Sequence, residues 1–346
     1  MVVDEKDILG RAFVPYQFFK QRERELAQEA KKNGDRLPSH QVWRREYYNY
    51  PYLILETDEN IIERFSDLMS NIVDISTDCK IVLAPGMEND ARFMRFFTEI
   101  IEETNWRGAL TPDVARKASN PIGAYFRDGF PLGCRMFGDR EHIPGKWIVK
   151  YSKAEYVKDM LKYGRFRISP ASEYSKGSYI KAIKDLETAR PYKLKALSDL
   201  LKGGDTVEAQ GMTMKIQNGF IPIEFMVDDY FLFSSCKEID RRMPTDFEAD
   251  AALIVKNRSE FVKRLKRAML EKFPTWQFLE GEVYYYDPYN DIPRNQNQEF
   301  WKHFSYSYQK EHRCVLRSMR QHFGELAPFF VELGPLGDIA EVIYAE

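Results

Sequence analysis

Between Trp147 and Ser169 the chain reads as strand, short helix, strand, and that order limits the architectures open to it. Trp147 to Tyr151 is apolar and β-prone. Ser152-Lys153-Ala154-Glu155 has the form of a capping box, in which the serine caps the third helical amide and the glutamate reaches back. Val157, Met160 and Leu161 then mark one helical face, Gly164 stops the helix, and Arg165 to Ser169 runs extended until Pro170. Further strands are expected at Tyr230 to Cys236, Val283 to Tyr286 and Tyr308 to Leu316. One more helix, Asn257 to Leu270, opens with an Asn257…Glu260 box. Many short strands without a repeated strand–helix–strand alternation predict an α+β domain rather than a doubly wound parallel sheet. The expected form is two small, roughly perpendicular sheets with a cleft between them.

The first part of the chain is different in character. Tyr16 to Lys32 reads as a charged helix stopped at Asn33-Gly34, and Tyr52 to Glu56 as a short strand. Ile61, Phe65, Leu68 and Ile72 recur at helical spacing, as do Phe93, Phe96, Phe97 and Ile100. Lys80 to Ala84 is a strand closed by Pro85-Gly86. From Asn120 to Gly145 glycine and proline accumulate and periodicity fades, which marks a domain boundary. The division is a mixed α/β region at 1–143 and a second domain at 144–346, in line with the roughly two domains expected for 346 residues.

Composition removes several classes of function. The longest uncharged runs, Tyr47 to Leu55 and Ala118 to Phe126, have nine residues. A membrane-spanning helix needs about 18–20. The opening MVVDEKDILG is charged at position 4 and has no apolar core, so a secretory signal is not expected and a cytoplasmic location is. The four cysteines are far apart and form no CxxC pair, the pattern of thiols in a reducing compartment. Asp287 and Asp291 lack the spacing of a calcium loop. Glu311 and His312 face opposite sides of a strand and so make no metal trio with His303. No metal is expected. Net charge is −2, but residues 146–195 hold 13 Lys/Arg against 5 Asp/Glu, a local excess of +8. Such a patch suits an anionic partner.

No P-loop, dinucleotide-binding glycine motif, nucleophile elbow or HExxH helix occurs. One constellation carries chemistry. Gln309-Lys310-Glu311 begins the expected late strand, where residues two apart share a face, so an amide and a carboxylate project together. Upstream, Ser234-Ser235-Cys236 ends an apolar strand, and Lys150-Tyr151 and Arg165-Phe166-Arg167 lie on the two strands of the first unit. Just before Gln309 come Tyr284-Tyr285-Tyr286-Asp287-Pro288-Tyr289, then Asn295-Gln296-Asn297-Gln298 and Trp301, an aromatic loop expected to offer exposed rings for stacking on unpaired bases.

The order of these pieces resembles the ADP-ribosyltransferase fold of bacterial toxins and phage-defence effectors, among them an mRNA-modifying transferase of a toxin–antitoxin–chaperone system. The resemblance covers residues 146–343, and Ser234-Ser235-Cys236 departs from the family's Ser-Thr-Ser pattern. It implies a split β-sandwich with flanking helices and NAD as the substrate. Glu311 would stabilise the oxocarbenium-like centre formed when nicotinamide leaves, and Gln309 would orient the acceptor. Tyr151 and Tyr174 would stack on nicotinamide, Arg165 and Arg167 would meet the pyrophosphate, and Ser234 and Ser235 would complete the NAD site. The acceptor would be a nucleic acid, RNA above all, or a protein; arginine is disfavoured because Gln rather than Glu precedes Glu311 by two. An antitoxin or chaperone would be the protein partner. Two other readings stay open: a non-catalytic sensor or partner-binding module of a defence or toxin–antitoxin system, and a plain NAD glycohydrolase.

Overall fold

The computed structural model describes residues 5–127, 129–141, 146–176, 186–209, 211–292, 296–320 and 324–345. The expected boundary at 143/144, Lys181 and Lys184 of the basic stretch, and Asn295 lie outside them. The chain is α+β, with antiparallel pairing in all its described sheets but one two-stranded pair. Its second half builds an eight-stranded sheet from β1 (Ile148–Ser152), β2 (Arg165–Pro170), β3 (Phe231–Cys236), β4 (Ala251–Val255), β5 (Gln277–Glu282), β6 (Glu311–Arg317), β7 (Phe329–Glu332) and β8 (Ala340–Tyr344). The order is β5-β6-β3-β1-β4-β8, with β2 joined to β3 and carrying β7. Every pairing in it is antiparallel.

The expected pair of separate sheets is therefore replaced by one sheet that forks at β3. Along one edge β3 pairs with β6 from Phe231 to Cys236. Along the other, Phe231 and Leu232 pair with β2, and only Cys236 reaches β1. Among the described residues no strand lies beside Phe233, Ser234 and Ser235 on that edge. The gap is bridged instead by a side chain: Lys150 Nζ donates to the Ser234 carbonyl at 2.7 Å. A backbone acceptor left bare in such a place costs about 1–3 kcal/mol, so the lysine stabilises the fork.

Helices from the same domain cover one face. Ala154–Tyr163, joining β1 to β2, buries Val157 and Met160, and Arg258–Lys272 buries Phe261, Leu265 and Met269 against Phe166, Phe233 and Leu316. Asn257 caps the second helix as expected, accepting from Glu260 N–H at 3.1 Å. Ser152 does not cap the first. It closes β1, and Asp250, just before β4, accepts the Ala154 N–H at 2.6 Å instead. The helix ends where expected, at Gly164 with φ +62°, and a Cβ there would lie 2.3 Å from the Gly334 carbonyl oxygen.

The N-terminal region folds around helices Glu5–Lys32, Ser39–Asn49, Asp58–Ile72 and Ala91–Arg107. Tyr52 to Glu56 is not a strand. It is a run of turns, with Ile54 and Glu56 N–H bonded three residues back and the Leu53 and Glu56 carbonyls taken by the Arg107 guanidinium. Preceding Pro51 and the buried Tyr52 ring hold it coiled. The core of these helices does not close on itself: Phe19, Tyr52, Phe65 and Ile100 pack with Leu197, Phe220 and Phe304 from beyond residue 143. The hairpin of Ala189–Lys195 with Phe220–Met226 belongs in space to the N-terminal helices.

Candidate active site

The fork opens onto a cavity of about 740 Å³. Tyr151, Arg165, Arg167, Tyr174, Ser234, Ser235, Gln309 and Glu311, eight residues drawn from distant parts of the sequence, all line it. At its floor β6 starts with Glu311, whose carboxylate is 4% exposed. Ser234 Oγ donates to Glu311 Oε1 at 2.6 Å across the β3–β6 pair. Arg313 Nε donates to the same oxygen at 2.7 Å, and Lys302 Nζ to Oε2 at 3.0 Å. The Glu311 N–H donates to the Tyr285 hydroxyl at 2.8 Å.

The electrostatics follow from that cage. Burial pushes the Glu311 carboxyl up, but Arg313 and Lys302 outweigh it and hold the group well below the usual carboxylate range. Glu187, also fully buried, is held low in the same way by Arg313, whose two terminal nitrogens reach its oxygens at 2.6 and 2.7 Å. Burial lowers the Lys150 ammonium, and it raises the hydroxyls of Tyr174 and Tyr285 above the ordinary tyrosine range. The site thus holds an ionised carboxylate that stays ionised throughout the neutral range.

Gln309 reaches the site by another route than an extended strand. It ends a 3-10 helix, Phe304–Gln309, and Lys310 takes a left-handed turn (φ +44°) before β6 begins at Glu311. The expected strand from Tyr308 is shortened for that reason. Gln309 and Glu311 are nonetheless joined, because Lys302 Nζ donates to Gln309 Oε1 at 3.0 Å as well.

The remaining candidates occupy the walls. Tyr151 is 7% exposed, its ring packed with Phe137 and Phe247, its hydroxyl accepting from Asp240 N–H at 2.9 Å and donating to the Asp240 carbonyl. Arg165 and Arg167 are exposed at the rim, Arg165 over the Phe330 ring and Arg167 paired with Glu173 at 2.6 Å. Ser235 points away from Ser234 and bonds the His312 carbonyl. The aromatic loop corrects its expectation. Tyr286 is buried, Tyr285 and Tyr289 are half-buried among the N-terminal helices and Ala189–Lys195, and Tyr284 alone of the run is exposed. Their hydroxyls and rings are committed to intramolecular contacts, so the run is no open stacking platform.

Sequence reading missed Arg313, Lys302 and Glu187. Arg313 carried a signal, since it is two residues from Glu311 on a strand and shares its face. Lys302 and Glu187 carried none, lying 9 and 124 residues from Glu311 with no periodic relation to it.

On the opposite face of β6, Glu280, His312 and Cys314 bring a carboxylate, an imidazole and a thiol within 4.8 Å, with Arg258 3.7 Å from Glu280. Burial, then Arg258, push the His312 imidazole down to about 4 from 6.5. Between those pH values the unfolded chain takes up a proton that the folded chain refuses. Stability therefore falls as pH drops through that window, by about 3 kcal/mol at most. Urea unfolding of the parent and of His312→Gln at pH 7 and pH 5 measures this: the parent is expected to lose more, and equal losses would assign the acid sensitivity elsewhere. Compared with protein-family models, curated proteins and solved structures, the chain matches none.

Proposed function

We propose that the chain is an NAD-dependent ADP-ribosyltransferase built on one forked sheet, working in the cytoplasm as a bacterial toxin or anti-phage effector. The observation that carries this reading is the Ser234–Glu311 hydrogen bond at the fork of an antiparallel sheet, with Gln309 tied to the same carboxylate through Lys302. A cavity of about 740 Å³ has room for a dinucleotide. Lys153, Arg165 and Arg167 near its rim suit a pyrophosphate, and the ionised Glu311 suits the cationic end.

In the reaction, the carboxylate of Glu311 accepts a hydrogen bond from a ribose hydroxyl. It stabilises the positive charge that grows as the bond from the anomeric carbon to nicotinamide nitrogen breaks. Nicotinamide leaves with the bonding pair. The acceptor's nucleophilic atom attacks the anomeric carbon and loses its proton to solvent. Gln309 holds the acceptor for that attack. Water as the acceptor makes the same site an NAD glycohydrolase.

Incubation with NAD labelled in the adenylate half, in the presence of RNA or of protein extract, tests the reading. Nicotinamide release with label transferred to one of them is expected, and the labelled fraction names the acceptor class. Gln309→Ala is expected to cut transfer about tenfold or more while nicotinamide release changes little. Equal losses in both would remove the acceptor role given to Gln309. One observation favours a second reading, a non-catalytic binding module: Glu311 is met by two cations, which compensate the charge that catalysis needs. Bound NAD without nicotinamide release would favour that module, its partner an antitoxin or another protein of the same defence system.

A further inference from the structure

Two cations beside one carboxylate need separate explanations, and their other contacts differ. Arg313 is already matched: both its terminal nitrogens are bound to Glu187, so its charge has a counter-ion other than Glu311. Lys302 pairs with Glu311 at 3.0 Å, and its ammonium also contacts the Gln309 amide oxygen and the face of the Tyr306 ring. Lys302 lines the cavity and Arg313 does not. The lysine thus stands on the cavity side of the site, bonded to Oε2 of Glu311.

Its position is set from far away. Lys302 lies in Trp301–His303, which runs parallel to Tyr284–Tyr286 within a loop that the N-terminal helices grip at several points. Arg64 holds Asp287 with two hydrogen bonds of 2.8 and 2.9 Å. Arg92 donates to the Tyr285 carbonyl at 2.8 Å. Asn71 donates to the Phe304 carbonyl at 3.1 Å and accepts from Ser307 Oγ at 2.6 Å and Tyr308 N–H at 2.8 Å. Those last bonds bracket the short helix between Lys302 and Gln309.

We propose that Lys302 is a positioning residue of this site: it is the resident counter-ion of Glu311 before ligand binds, the N-terminal helices hold it there, and the cationic nicotinamide–ribose end of NAD displaces it. This rests on the NAD reading above. Like charges in a buried site repel strongly, so a ligand that brings its own positive charge competes with the ammonium for one carboxylate. Apparent affinity is reduced by the fraction of molecules in which the lysine still occupies its place. The N-terminal region then has a role in the reaction although it lines none of the NAD cavity.

Steady-state nicotinamide release by the full chain tests this with Lys302→Met, Lys302→Gln and Lys302→Arg. Both neutral variants are expected to lower KM for NAD about tenfold with a smaller change in kcat, and Lys302→Arg to restore the parent KM. Asn71→Ala, which frees the loop without touching the cavity, is expected to lower KM in the same direction. A KM that rises, or release that is lost, in both neutral variants while the parent turns over would overturn the counter-ion role and leave the NAD reading standing. An unchanged KM in Asn71→Ala would overturn the part assigned to the N-terminal helices. No release from the parent or from any variant would overturn the NAD reading, and this inference with it.

Discussion

Replacing Glu311 by glutamine is expected to slow nicotinamide release by about 10²–10³-fold, the usual worth of one preorganised electrostatic group. The substitution keeps the size of the side chain and an oxygen for the Ser234 hydroxyl, 2.6 Å away. It removes the charge. Because Glu311 is held well below the usual carboxylate range, the parent stays ionised down to acid pH, and its release profile is expected to show no limb near pH 4–5 from this residue. The cage makes the substitution costly to stability as well. Arg313, Lys302 and Arg190 would lose Glu311 from a cluster in which Glu187 is the other buried carboxylate among the described residues. Removing one partner of a buried ion pair costs about 3–5 kcal/mol. Rates must therefore be read below the melting point of the variant, with Ser234→Ala, which loses one hydrogen bond worth about 1 kcal/mol, as the fold control. Undiminished release from folded Glu311→Gln would take the central residue out of the mechanism.

Arg64→Met is the second large effect, and it falls on stability. Arg64 and Asp287 are 4% and 0% exposed, joined by two hydrogen bonds, and the guanidinium lies about 5 Å from the ring centres of Phe96, Tyr289 and Phe304. The substitution strands a buried carboxylate and removes the ring contacts, for an expected loss of about 3–5 kcal/mol in urea unfolding at pH 7. The pH dependence has a definite sign. Burial pushes the Asp287 carboxyl up, but Arg64 holds it below 3.8 in the parent, so the pair stabilises the fold above that value and the contribution is lost as pH falls through the folded value. Without Arg64 burial is opposed by the hydrogen bonds from the Asn290 amide and the Tyr289 N–H but no longer by a cation at contact, so the carboxyl is expected to rise and the variant to gain stability as pH drops. Its deficit should shrink between pH 7 and pH 5. A deficit under about 1 kcal/mol, or one that widens on acidification, would show that this pair does not hold the loop.

The parts of the chain that local order specifies were legible without a structure. The helices around Ile61–Ile72 and Phe93–Ile100 follow from apolar residues at 3.6-residue spacing, and the Trp147–Ser169 unit from a strand, a helical face and a glycine stop. Each of these signals acts within about four residues of where it is read. The failures are of one kind. Tyr52 to Glu56 looked like a strand until Arg107 took its carbonyls, and Ser152 looked like a cap until Asp250 filled the role from 96 residues away. The tyrosine loop looked exposed because nothing in its composition tells that the N-terminal helices cover it.

The same division runs through the candidate site. Residue type and local strand order placed a carboxylate at 311 and a hydroxyl at 234, whereas the amide at 309 comes to the site through a 3-10 helix and a left-handed Lys310 rather than through strand alternation. Which edge of β3 stays open, which cations surround Glu311 and what holds Lys302 are decisions between segments tens to hundreds of residues apart. Strand pairing, ion pairing and burial make those choices together, since a buried charge or a bare backbone group is tolerable only where some distant partner meets it. The sequence determined the local elements and the chemical groups they carry; the tertiary structure alone decided which of those groups meet.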